Sequence, residues 1–127
     1  MTDPDELIAV DRTPEERYVL NRGLVEWGGP ALCTEAMAKA MGFASVENLL
    51  EVGYRIAREL ESGRPLSRRD WTRALLATEI VFASDVVGSG AEWSDTTGLD
   101  DVQTRRTLRL LQLEKPVAVV LRGGAWA

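Results

Sequence analysis

The chain has no histidine and only one cysteine, Cys33, in 127 residues. Without histidine, a Ser-His-Asp triad, a Cys-His pair and imidazole-ligated zinc or haem are excluded within these residues. A single cysteine excludes an internal disulfide and cysteine-rich zinc or iron–sulfur sites. Neither GxGxxG nor GxxxxGK[ST] occurs, so the two common nucleotide loops are absent. No apolar stretch reaches the roughly 18 residues of a membrane span. Lysine is reduced to two residues against thirteen arginines, a bias that correlates with a GC-rich bacterial genome. The start, Met1 to Glu6, is acidic and lacks the basic and apolar parts of a secretory signal. A cytoplasmic protein is therefore expected, with no metal and no cofactor.

Hydrophobic residues make up 45% and charged residues 28%, the balance of an ordinary globular domain large enough to bury a core. The net charge of −5 is unevenly placed. Residues 1–16 carry six acids against Arg12, whereas the remainder carries fourteen acids and fourteen bases. Residues 1–12 therefore read as an acidic, partly flexible leader and residues 13–127 as one helical domain.

Helix signals dominate. Thr13-Pro14-Glu15-Glu16 forms a capping box with proline in the first turn, and Leu20, Leu24 and Trp27 follow as one stripe before Gly28-Gly29. Pro30 opens a second helix with the stripe Cys33, Ala36, Met37, Ala40 and Met41. Ser45 caps a third, with Val46, Leu49, Leu50, Gly53, Ala57 and Leu60 as its apolar side, Tyr54 and Ile56 on the flanks, and Gly63 as its stop. Ser67-x-x-Asp70 begins a fourth helix reaching about Val87, and a fifth runs from about Asp100 to Glu114 with Thr104, Leu108 and Leu111 inward. The fold class is all-α, a single-domain bundle of about five helices around a buried central helix at about 67–87. Two short apolar runs, Leu7–Val10 and Val117–Leu121, read as a small β pair linking the termini.

The central helix holds the most informative charges. Glu79 and Asp85 are the only ionisable residues in the apolar run Ala74–Val87. A carboxylate there must be paired, protonated or turned to water. On an ideal helix the two lie about 120° apart around the axis and about 9 Å along it, too far to share a proton. With Thr78 they form an expected buried polar network; Arg105, Arg106 and Arg109 on the fifth helix are the expected partners, with Arg17, Arg22 and Arg55 as other candidates. Pairing of Glu79 would make its loss clearly destabilising.

Gly88 to Gly98 is a long connection between helices, and such loops are often functional or self-packed. Trp93 either plugs the core or presents a contact surface. The binding candidates are Asp85, Ser89, Trp93, Asp95, Arg105 and Arg109. Asp95, Asp100 and Asp101 lack calcium-loop spacing and better suit the start of the fifth helix.

Two binding classes compete with carboxylate chemistry. Thr34–Glu51 hints at a helix-turn-helix, with Ala38 and Gly42 at the right spacing and Arg64, Arg68, Arg69 and Arg73 nearby to grip phosphates. Glu47 and Glu51 on the would-be reading face oppose that assignment. The expected function is therefore non-catalytic: a cytoplasmic adaptor, regulatory or immunity/antitoxin-like protein that docks a protein partner and also self-associates. A helix-turn-helix regulator is the first alternative. A small-ligand-binding protein or an enzyme working through carboxylates is the second.

Overall fold

The computed structural model describes residues 3–9, 12–29, 31 and 33–114. Six α-helices are present among them: α1 (Pro14–Val25), α2 (Glu35–Ala40), α3 (Val46–Ser62), α4 (Arg68–Ala83), α5 (Trp93–Thr97) and α6 (Asp101–Glu114). Two-residue strands β1 (Leu7–Ile8) and β2 (Leu66–Ser67) pair antiparallel, with Leu7 opposite Ser67 and Ile8 opposite Leu66. The architecture is all-α with one minimal β pair, and no described helix is long and apolar enough to cross a membrane.

The helix starts follow from local chemistry. The capping box at α1 is complete: Thr13 accepts from the Glu16 amide, and the Glu16 carboxylate accepts from the Thr13 amide. Thr34, Ser45 and Ser67 cap α2, α3 and α4 with their hydroxyls, each satisfying an amide that the helix leaves unpaired. Gly63 ends α3 at φ +71°, a conformation that costs other residues a clash at Cβ.

The α1 helix packs against α3, α4 and α6, and with α4 it forms the middle of the bundle. The deepest side of α4 is a stripe of small and branched residues, Ala74, Ala77, Thr78 and Val81, all fully buried. They permit a close approach to α1 at Gly23. A Cβ added to Gly23 would stand 1.9 Å from Thr78 Oγ1 and 2.7 Å from Thr78 Cα. Trp27 Nε1 bridges the same two elements by donating to the Ala77 carbonyl at 3.1 Å. Val19, Leu20, Leu49, Ile56, Leu60 and Trp93 complete the core around them. Leu75, Ile80 and Phe82 are only partly buried and border this small-residue seam.

Three departures from the sequence reading have local causes. The second helix is six residues long and begins at the Thr34 cap, leaving Ala36 and Ala40 exposed and burying Ala38 and Met41. The fourth stops at Ala83, short of Val87, because Ser84 turns extended and its hydroxyl accepts from the amides of Val86 and Val87. The chain then folds back, with the Ser89 amide donating to the Val81 carbonyl at 2.7 Å. Gly88 sits so close that a Cβ there would be 2.6 Å from that carbonyl oxygen. The expected loop contains a helical turn, Gly90–Glu92, and then α5. The N-terminal strand pairs with Leu66–Ser67. Val117–Leu121 lies outside the described residues.

Candidate functional site

The segment after α4 is sewn to the core at two points. Trp93 is fully buried: its Nε1 donates to Thr104 Oγ1 at 2.9 Å, and Phe82 meets its ring edge-on at 5.7 Å between centroids. Trp93 thus closes the core between α4 and α6 and is not a surface contact residue. The second point is Glu26, 3% exposed at the end of α1. Its Oε1 accepts from the hydroxyls of Ser89, at 3.0 Å, and Thr96. Arg22 Nη2 stands 4.0 Å from the other oxygen, at the outer limit of an ion pair. Hydroxyl donors and a cation satisfy a carboxylate that burial would otherwise penalise. Ser89, itself 3% exposed, therefore faces Glu26 and not a ligand in solvent.

The expected network of Thr78, Glu79 and Asp85 does not form. Thr78 donates to the Ala74 carbonyl of its own helix. Glu79 is half-buried and accepts from the Gln112 side-chain amide of α6. Asp85 is exposed, lies beyond the end of α4, and accepts from the Ala91 amide at 3.1 Å, which staples the turn. A Cβ at Gly90 would strike the same Asp85 carboxylate at 2.4 Å. Among the described residues no arginine reaches Glu79 or Asp85. Arg105 and Arg109 point outward instead, and Asp95 is exposed on α5. The network fails because α4 ends four residues before Val87 and Asp85 leaves its axis.

The ion pairs gather elsewhere, where α3 meets α4. Asp70, 7% exposed, receives Arg55 Nη2 at 3.0 Å on one oxygen and Arg73 Nη1 at 3.0 Å on the other. Arg73 also donates to the Gly42 carbonyl and lies over the Phe43 ring at 5.0 Å. Burial pushes the Arg73 guanidinium below its ordinary range against the pull of Asp70. Arg68 and Arg69 hold Glu6 and Asp5 of the acidic leader. The basic cluster that a helix-turn-helix would aim at phosphates is thus largely engaged with the chain's own acids.

Helix α6 divides cleanly. Thr104, Thr107, Leu108 and Leu111 are buried. On the opposite arc, about 140° wide at 100° per residue, stand Arg105, Arg106 and Arg109 with Val102, Leu110 and Leu113. The three apolar residues are 57%, 50% and 71% exposed. No acid interrupts that arc. Apolar surface of this extent on one helical face, mixed with arginine, has the composition of an interface rather than of a solvated helix side.

Periodicity does not single out Glu26, although it stands between Val25 and Trp27 and is therefore flanked by apolar residues as Glu79 is. The Arg22–Glu26 spacing of one helical turn is the signal that could have found it. Burial, then the neighbouring Glu35, push the Cys33 thiol up and keep it protonated at neutral pH. Among the described residues no three His, Cys, Asp or Glu side chains come close enough together to hold a metal ion. Compared with protein-family models, curated proteins and solved structures, the chain matches none.

Proposed function

We propose that this chain is a non-catalytic binding module that docks a protein partner through the outer arc of α6, Val102 to Leu113. The observation that carries the reading is the pairing of three exposed apolar side chains with three arginines on a helix whose other side is fully committed to the core. Arginine and aliphatic contacts together are what a partner with an acidic, partly apolar surface would use. A role as adaptor, regulatory subunit or immunity/antitoxin-like protein follows from that mode of action. The reading places the protein in the bacterial cytoplasm, with the arginine bias and the single thiol in support.

The carboxylates support binding over catalysis because of where they sit. Glu26 is closed off by its own hydroxyl donors, and Glu79 and Asp85 each brace a neighbouring element. Self-association brings an acidic surface of a second copy to this arc, because arc against arc would set arginine on arginine. The experiment is affinity capture from the native cell, quantified by mass spectrometry, with wild type beside Val102→Asp/Leu113→Asp. A partner retained by wild type and lost by the variant supports the proposal. Equal retention by both contradicts it. Light scattering on the same two proteins separates a second copy from a different partner.

A further inference from the structure

Where α3 ends and α4 begins, arginines outnumber the acids that answer them. Arg55, Arg58 and Arg64 line an open depression of about 340 Å³, with Glu59 and Ser62 completing its wall. Arg55 is held by Glu59 at 3.1 Å and by Asp70 at 3.0 Å. Arg58 and Arg64 are exposed, and among the described residues no carboxylate lies within ion-pair distance of either. Beyond Asp70 the positive charge continues through Arg68, Arg69 and Arg73. Arg69 and Arg55 both act on Arg73 as like charges, so the groups sense one another.

One flank of this surface already carries an acidic turn. Arg68 Nε holds Glu6 at 3.0 Å and Arg69 Nη2 holds Asp5 at 3.2 Å. The amides of Arg68 and Arg69, the first two of α4, donate to the carbonyls of Glu6 and Pro4 at 3.0 and 2.9 Å. A short acidic turn is therefore recognised here through its carboxylates and its main chain together, at a helix start whose field favours negative charge. Among the described residues no leader side chain lines the depression, where Arg58 and Arg64 stand.

We infer that the depression along the C-terminal half of α3 and the turn after it is a binding site for an acidic peptide segment, with Arg58 and Arg64 receiving its carboxylates. The leader supplies the precedent for the ligand: a short acidic turn, Asp3 to Glu6, with closely spaced carboxylates. A nucleic acid fits less well. Glu59 forms part of the wall, and Glu47, Glu51 and Glu61 are exposed on the same helix. They would repel the unbroken charge of a phosphate backbone, whereas a peptide carries few charges and can place them. This site lies on different helices from the α6 arc, so either can fail without the other.

The test titrates the full chain with an end-capped Gly-Glu-Gly-Glu-Gly peptide, which carries two spaced carboxylates, at low ionic strength. Binding is followed by NMR of the arginine Nε–Hε groups. Saturable shifts at Arg58 and Arg64 that weaken with salt are expected. Arg58→Glu/Arg64→Glu should weaken binding about tenfold or more, with an unchanged thermal midpoint, since both side chains are exposed. Three results overturn the inference: no saturable shift, shifts confined to Arg68 and Arg69, or tighter binding of a DNA duplex than of the peptide at equal concentration of charge.

Discussion

The Ser89 hydroxyl donates to Glu26 Oε1 at 3.0 Å, joining two buried residues that lie 63 positions apart in the chain. This bond and its Thr96 neighbour hold the segment after α4 against the end of α1. Removing the carboxylate leaves two hydroxyls and a nearby guanidinium without their acceptor. Glu26→Ala should therefore cost about 3 kcal/mol, and Ser89→Ala about 1–2 kcal/mol. Glu79 is the internal comparison: it is half-buried, and its acceptor function survives in glutamine. Glu79→Gln should cost below about 1 kcal/mol. Urea denaturation of the three variants checks the order, and a Glu79 effect as large as that of Glu26 would reverse it.

Trp93 tests whether the segment is core. Its ring fills the space between α4 and α6, and its Nε1 is paired with Thr104. Trp93→Phe keeps most of the volume and leaves the Thr104 hydroxyl without that donor, at about 1–2 kcal/mol. Trp93→Ala opens a cavity and should cost about 3–5 kcal/mol. If Trp93→Ala left the denaturation midpoint unchanged, the residue would have to be free of the core.

The contact of Gly23 with Thr78 sets the spacing of α1 and α4. Alanine in place of glycine inside a helix normally stabilises by up to about 1 kcal/mol. Here the new Cβ meets both side-chain and main-chain atoms of Thr78, so Gly23→Ala should destabilise by about 2 kcal/mol or more. Adding Thr78→Ala should recover only part of the loss, because the Cα at position 78 still stands 2.7 Å from where the new methyl must go. A stabilised Gly23→Ala protein would show that the helices pack less closely than this.

The elements are legible where local chemistry decides them. Thr13, Ser45 and Ser67 cap the helices expected of them, Gly63 ends α3, and Thr104, Leu108 and Leu111 face inward on α6. What periodicity does not contain is distance between helices. The seam of α4 runs through Ala74 and Ala77 because Gly23 lies opposite, whereas counting large residues points to its neighbours. The same gap hides Glu26, whose donors come from residues 63 and 70 positions away. Periodicity also carries α4 through Asp85, since a serine hydroxyl that accepts two following amides, as Ser84 does, gives no periodic signal. It sets Arg105 and Arg109 opposite the core side, as found, but facing away from the core they meet solvent rather than Glu79.

The docking role of α6 is tested most directly by a photo-crosslinking amino acid placed in turn at Leu113 and at Val86 in the native cell. The two positions are 71% and 86% exposed, so accessibility alone favours Val86. Docking through α6 requires a discrete protein adduct at Leu113, weakened by Arg106→Glu, and little or none at Val86. Adducts at Val86 alone, or equal and diffuse labelling at both positions, would contradict it.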